Sequence, residues 1–166
     1  MWLAETAVDT ETLEVLAENG IRFTVLAPKQ AAEVRPLGEG AWRDVRGERV
    51  DTRCAYRCDL PSGRSIALFF YDGRISQEIA FGGLLDNFAH RLTGALADSN
   101  PPVLSHVATD GESYGHHHDH GDMALAYCLE TLDRSREAQL TVYGEFLALF
   151  PPEHAVRIVE NSSWSC

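Results

Sequence analysis

Two carboxylates stand where they could do chemistry. Asp110 follows the apolar residues Val103, Leu104, Val107 and Ala108 and is followed by Gly111 and Glu112, while Glu5 follows Trp2-Leu3-Ala4. Read as strand ends of a parallel sheet, both carboxylates fall on the rim formed by the carboxyl ends of the strands, where α/β sheets carry their sites. One carboxylate that attacks and a second that donates a proton make the pair that cleavage of a glycosidic bond needs. The oxocarbenium-like transition state calls for negative charge on one face and an acid on the leaving oxygen. Taken singly, an acidic residue at a strand end also serves as a helix cap or a solvated loop residue. On the residues alone the cap or solvated-loop reading is the preferred one, and composition does not lift Glu5 above it.

Behind Asp110 come Glu112, Tyr114 and the polar run His116-His117-His118-Asp119-His120. Histidine is the commonest zinc ligand, and barrel hydrolases that deacetylate polysaccharides use an Asp/His/His metal site, so zinc at His116–His120 is one reading. Three adjacent histidines cannot all face one way, however, and the run lies at a helix start, where solvated polar residues are ordinary. Hydrogen bonding to sugar or plain solvation is the preferred reading, with His116, His117 and His118 as the pocket residues and no metal or other cofactor expected. Glu112 supports the loop by accepting hydrogen bonds. Trp164 and Trp42 offer planes on which the CH face of a sugar can stack, against the ordinary alternative of core packing. Tyr71 and Asp72 lie at another strand end and could line the same cleft.

The elements that must position these groups alternate. Trp2-Leu3-Ala4 reads as the last residues of a strand. Asp9 or Thr10 caps a helix whose apolar face is Leu13, Leu16 and Ala17, and Asn19-Gly20 stops it. Ile21 to Ala27 is β-branched and apolar, a strand that completes a first βαβ unit. Pro36, Gly38, Gly40 and Gly47 break the pattern between Pro28 and Arg53, which reads as an excursion over the sheet. Tyr56–Leu60 and Ser65–Tyr71 flank a hairpin turn at Pro61-Ser62-Gly63-Arg64, and the second run is continuous enough to be buried on both faces. Helical spacing recurs through Ile79, Leu85, Phe88, Leu92 and Leu96, interrupted at Gly82-Gly83 and closed by Pro101-Pro102. Val103–Ala108 reads as a strand. A helix from Met123 carries a stripe of Leu125, Cys128, Leu129 and Leu132, with Arg134 and Arg136 near its end. A link at Leu140–Val142, a short helix at Glu145–Phe150 and a strand at Ala155–Val159 complete the series. The expected class is α/β with mostly parallel strands and no internal domain boundary. About five parallel strands are too few for a closed barrel of eight, and the abrupt start at Trp2 and end at Cys166 suggest a fragment of something longer.

Length and composition exclude several partners. The 166 residues are 45% hydrophobic, enough for a core, and 25 Asp and Glu against 14 Lys and Arg give a formal charge of -11. With no basic run to offset it, this charge repels phosphate backbones and anionic membrane surfaces, so neither nucleic acid nor membrane is an expected partner. No stretch approaches a membrane span, and Trp2-Leu3-Ala4-Glu5 lacks the features of a signal peptide, so the expected location is the cytoplasm. Cys54 and Cys58 are spaced more widely than a redox or zinc motif, and free thiols are expected.

Resemblance narrows the choice. Trp2-Leu3-Ala4-Glu5, followed by a helix and Asn19-Gly20-Ile21, resembles the segment of family 57 glycoside hydrolases in which a Trp-Leu-x-Glu motif carries the nucleophile. Thr109-Asp110-Gly111-Glu112-Ser113-Tyr114-Gly115 is similar to the same family's Asp-Asp-Gly-Glu-Lys-Phe-Gly motif, whose Asp directly before the glycine is the general acid/base. Thr141-Val142-Tyr143-Gly144-Glu145-Phe146-Leu147 and Ser163-Trp164-Ser165 follow in matching order, so the similarity covers nearly the whole chain. Thr109, Ser113 and Ala4 depart from the family pattern, its early His-Gln-Pro motif is absent, and the histidine run resembles the amylase/mannosidase-like branch. The resemblance implies part of a seven-stranded (β/α) TIM-like barrel over residues 1–166, a partial catalytic domain lacking its N-terminal strands and C-terminal part. It implies an oligo- or polysaccharide substrate, retaining cleavage or transfer of α-glucan bonds, Glu5 as nucleophile and Asp110 as acid/base. Retaining enzymes hold the two carboxyl groups about 5–5.5 Å apart. Trp2, Glu112, Tyr114, His116, His117, His118 and Trp164 are the candidate substrate-binding residues. A metal-dependent deacetylase-like hydrolase and a catalytically inactive sugar-binding module are the alternatives. The 166-residue chain alone is expected to be inactive or barely active, because a strand at its very start would fray.

Overall fold

A computed structural model describes residues 1–82, 88–94, 96, 102–135 and 138–165. Gly83, Leu85, Pro101, Arg136 and Cys166, which entered the sequence reading, lie outside the described residues. The chain forms two compact units, Met1–Tyr71 with Phe146–Cys166, and Asp72–Glu145, where the sequence predicted no boundary.

The first unit is built on a six-stranded sheet. Its strands are β1 (Phe23–Leu26), β2 (Ala31–Pro36), β3 (Arg43–Asp44), β4 (Ala55–Asp59), β5 (Ser65–Phe70) and β6 (His154–Ile158), in the order β1-β5-β4-β6-β2-β3. The sheet is mixed, which corrects the expectation of mostly parallel strands. β1/β5 and β4/β6 are parallel, whereas β4/β5, β2/β6 and β2/β3 are antiparallel. The hairpin is as predicted: Gly63 takes φ +84°, and Leu60 N–H donates to Arg64 C=O at 3.0 Å. Every residue of β5 from Ile66 to Phe70 is buried, as a strand covered on both faces requires. The region read as an excursion contributes β2, whose alternate residues Ala32 and Val34 are buried while Glu33 and Arg35 are not. Helix α1 (Thr10–Glu18) starts where Asp9 accepts from Thr12 N–H at 2.7 Å and presents Leu13 and Leu16 to the core. That core joins them to Leu26, Val34, Tyr56, Ile66, Leu68, Phe70, Val156 and Ile158.

Trp2-Leu3-Ala4 is not a strand end. Ala4–Thr6 is a single 3₁₀ turn, and Val8 makes an isolated antiparallel bridge with Ser162. The first βαβ unit therefore lacks its opening strand among the described residues.

In the second unit α2 (Gly73–Phe81) is capped by Asp72, whose carboxylate accepts from Ile75 N–H at 2.9 Å. The unit also holds α3 (Phe88–Gly94) and α4 (Gly121–Ser135), while α5 (Tyr143–Leu149) begins in it and ends in the first unit. Ile75, Ile79, Cys128 and Leu132 form its core, with Leu92, Val107, Tyr114 and Leu125 packed against them. Leu129, expected on the buried stripe of α4, is exposed. Val103–Ala108 is not a strand. Part of its polar backbone is taken by the start of α2 instead: His106 C=O accepts from Asp72 N–H, and Ala108 N–H donates to the Ser76 hydroxyl.

Candidate active site

Glu5 sits on backbone that a side chain ordinarily avoids. Its φ is 54° and ψ 15°, and Thr6 follows at φ 48°, two consecutive left-handed residues without a glycine. Each costs about 1–2 kcal/mol for an L-residue, so the conformation persists only where its surroundings over-determine it.

The surroundings are on two sides. Toward the solvent, Trp164 donates twice to Glu5, from its indole Nε1 to Oε2 at 2.9 Å and from its backbone N–H to the carbonyl at 3.0 Å. Trp2 packs edge-on against the Trp164 ring with centroids 5.1 Å apart, and Tyr71 does so at 6.4 Å. Burial, assisted by Glu48, pushes the Tyr71 hydroxyl up to about 12, so it stays neutral. Toward the interior, Thr6 and Gln30 are both fully buried. Gln30 Oε1 accepts from the Thr6 hydroxyl and from Ala27 N–H, each at 2.8 Å, and its Nε2 donates to Thr6 C=O at 2.9 Å and to the Ser162 hydroxyl at 3.2 Å. Both acceptor and both donor positions of the amide are used. Glu5, Trp2 and Trp164 are thus brought together, with Glu5 exposed. The sequence reading missed Gln30. A lone glutamine after a strand resembles a solvated loop residue, and only its burial reveals it.

Asp110 belongs to the second unit and stands at the N-cap position of the 3₁₀ turn Gly111–Ser113, with extended backbone and no capping bond from its side chain. Its carboxylate is exposed and has no hydrogen-bond or ion-pair partner among the described residues. The loop behind it is tied down at several points. Glu112 C=O accepts from His116 and His117 N–H at 3.1 and 3.0 Å, and the Glu112 carboxylate lies 3.4 Å from His117 Nε2. Tyr114 OH and Thr109 Oγ1 are 2.8 Å apart. His118 Nε2 donates to Ala80 C=O at 2.9 Å, which commits that ring nitrogen to the end of α2. Gly121 allows the loop to lie against the start of α4, for a Cβ there would stand 2.9 Å from Tyr114 Cα and 3.0 Å from Ser113 C=O. Asp110, Glu112, Tyr114, His116, His117 and His118 therefore share one loop. Among the described residues no group of three or more His, Cys, Asp or Glu side chains is placed to share a metal ion.

Other candidates fall elsewhere. The Trp42 ring carries the guanidinium of Arg157 at 4.2 Å and that of Arg35 at 4.8 Å, so cation–π contacts occupy the surface offered for sugar stacking. Asp72 is spent on its helix cap. Cys54, Cys58 and Cys128 are free thiols, and burial pushes Cys58 up to about 12. No helix among the described residues is long and apolar enough to cross a membrane.

The sequence profile of Glycosyl hydrolase family 57 matches residues 1–159. The chain belongs to glycosyl hydrolase family 57. Two solved structures are similar to this family 57 chain. The 4-alpha-glucanotransferase from Thermococcus litoralis has a TM-score of 0.72 and 19% identity, covering 99% of this chain and 24% of that one. An exo-type maltose-forming amylase from Pyrococcus sp. ST04 has a TM-score of 0.64 and 16% identity, covering 98% and 28%. At these identities the likeness is one of fold, and the chain spans about a quarter of the length of either structure. No curated protein matches the sequence. In this family 57 chain Glu5 lies within a 3₁₀ turn and Asp110 directly before one, and neither stands at the end of a strand.

Proposed function

We propose that this chain is the catalytic part of a carbohydrate-active enzyme that cleaves or transfers α-glucan bonds with retention of configuration, on an oligo- or polysaccharide substrate. Its mixed sheet is then a portion of the seven-stranded family barrel. The observation that carries the reading is Glu5, an exposed carboxylate on left-handed backbone fixed from two sides, in a chain of a family whose members act on glycosidic bonds. Strain of this kind, held by an otherwise well-satisfied framework, is characteristic of reacting groups.

In the proposed reaction a Glu5 oxygen forms a bond to the anomeric carbon as the bond from that carbon to the leaving oxygen breaks, and the Asp110 proton passes to that oxygen. In the second step water or an acceptor hydroxyl attacks the anomeric carbon and gives its proton to Asp110. The bond to Glu5 breaks and the carboxylate is restored. Asp110 suits the proton transfers because no side chain among the described residues competes for its carboxylate.

The test follows malto-oligosaccharide products by NMR in the protein as it occurs naturally, with Glu5→Gln and Asp110→Asn beside the wild type. The reading expects α-configured first products and a fall of about 10²-fold or more in kcat for each variant. First products of β configuration, or a Glu5→Gln protein at wild-type rate, would sink it.

A further inference from the structure

We infer that Gln30 and Trp164 are positioning residues for Glu5, acting together as a clamp that leaves Oε1 as the attacking oxygen. The inference rests on the reading of Glu5 as the nucleophile and adds to it two residues and the identity of one atom.

The geometry divides the work. Gln30 acts on the residue next to Glu5: its amide nitrogen holds Thr6 C=O and its amide oxygen holds the Thr6 hydroxyl, so Thr6 and the peptide that follows it cannot turn without breaking two buried bonds. The same amide reaches Ala27 N–H and the Ser162 hydroxyl, and Ser162 in turn donates to Val159 C=O at 2.6 Å. Val159 N–H closes the loop on Gln30 C=O at 2.8 Å. The left-handed pair Glu5-Thr6 is therefore anchored to the residues that follow β1 and β6. A rotation of this peptide would leave buried polar atoms of Gln30 and Thr6 without partners, which is what makes the strained conformation the stable one.

Trp164 acts on the carboxylate. Its N–H occupies Oε2 at 2.9 Å, and the ring is itself held by the edge contact with Trp2 and by its own backbone bond to Glu5 C=O. A carboxylate with one oxygen bound in this way presents the other. Oε1 has no partner among the described residues. When the glycosyl bond to Oε1 later breaks, charge returns to the carboxylate, and the fixed indole dipole at Oε2 receives its share without reorganising. Trp164, singled out in the sequence for stacking on sugar, thereby has a role through its nitrogen instead.

The two roles of an indole can be separated, because benzothienylalanine keeps the ring shape and exchanges the N–H for sulfur. We would place it at position 164 of the protein as it occurs naturally and measure capture of the nucleophile by a 5-fluoroglycosyl fluoride, which accumulates the glycosyl-enzyme. Gln30→Met removes the amide, Thr6→Val removes the hydroxyl, and Thr6→Ser restores it. Expected are rates of capture lower by about 10²-fold for the first three proteins, with KM little changed, and recovery in Thr6→Ser, since a small misplacement of a reacting group costs that much. The Trp164 indole resonance should also move in Glu5→Gln. Gln30→Met is the variant most exposed to misfolding, checked by circular dichroism, and the Trp164 replacement stands without it. Capture at the wild-type rate by the benzothienyl protein, or an indole resonance indifferent to Glu5→Gln, overturns the clamp. A label found on a residue other than Glu5 overturns instead the nucleophile reading on which it rests, so the two failures are told apart by the rate of labelling and its address.

Discussion

The Asp51 carboxylate is held below the ordinary carboxylate range chiefly by the Arg53 guanidinium, which donates to both of its oxygens at 3.0 Å. A carboxylate whose value is lowered in the folded state stabilises that state above the unfolded carboxylate range, and the contribution is lost as pH falls through the folded value. Both side chains are about half exposed, so the contribution is small, about 0.2–1 kcal/mol at neutral pH. Asp51→Asn should melt slightly below the wild type at pH 7, and the gap should close on acidification below the carboxylate range. Thermal melts at the two pH values decide it, and a gap that stays constant would place the effect in packing rather than charge. At this scale the sequence offered Glu5 and Asp110 by motif but could not offer Gln30. What sets Gln30 apart is its burial and the geometry of its four bonds, and neither leaves a mark in the order of residues.

Elements were legible where one local rule prevailed. Asp9 before an apolar 3.6-residue period gave α1, and Pro61-Ser62-Gly63 between two apolar runs gave the β4–β5 hairpin. They were illegible where distant partners decided. β2 is six residues long and carries two charges, and it is a strand because β6, more than a hundred residues later, lies beside it. Val103–Ala108 has strand composition, yet Ser76 and Asp72 claim its backbone groups. The Ala4–Thr6 turn is too short for any period to appear. Gly121 belongs to the same class of silent positions, a helix residue whose missing Cβ admits the backbone of Tyr114 and Ser113. Gly121→Ala must push the loop at residues 113–115 away from α4, at a cost of about 1–3 kcal/mol. Hydrogen exchange at the His116 and His117 amides, both donated to Glu112, should quicken in that protein while the amides of β5 keep their protection. Unchanged exchange at both histidines would mean that the loop does not depend on this approach.

Over the whole molecule, the excess of acidic residues governs what approaches. With a formal charge of -11, the chain should pass through a heparin column at about 0.15 M salt without retention and should not sediment with anionic vesicles, where the Debye length is about 8 Å. Retention that vanishes at high salt would reveal a concentrated basic surface that the net charge conceals, and the arginines around Trp42 would be the first to replace. A neutral glucan is indifferent to this field, which suits the proposed substrate.

The pairing of Glu5 with Trp164 joins residues 159 apart in the chain. At about 5–20 residues per second, the ribosome needs roughly 8–30 s to pass from one to the other. Throughout that interval the nascent chain holds Glu5 without the indole that fixes it and without the Ser162 that completes the bonds of Gln30. The left-handed turn at Glu5 and Thr6 is thus deprived of its distant supports until nearly all of this sequence has emerged, and in a growing chain Glu5 is an ordinary, unheld glutamate.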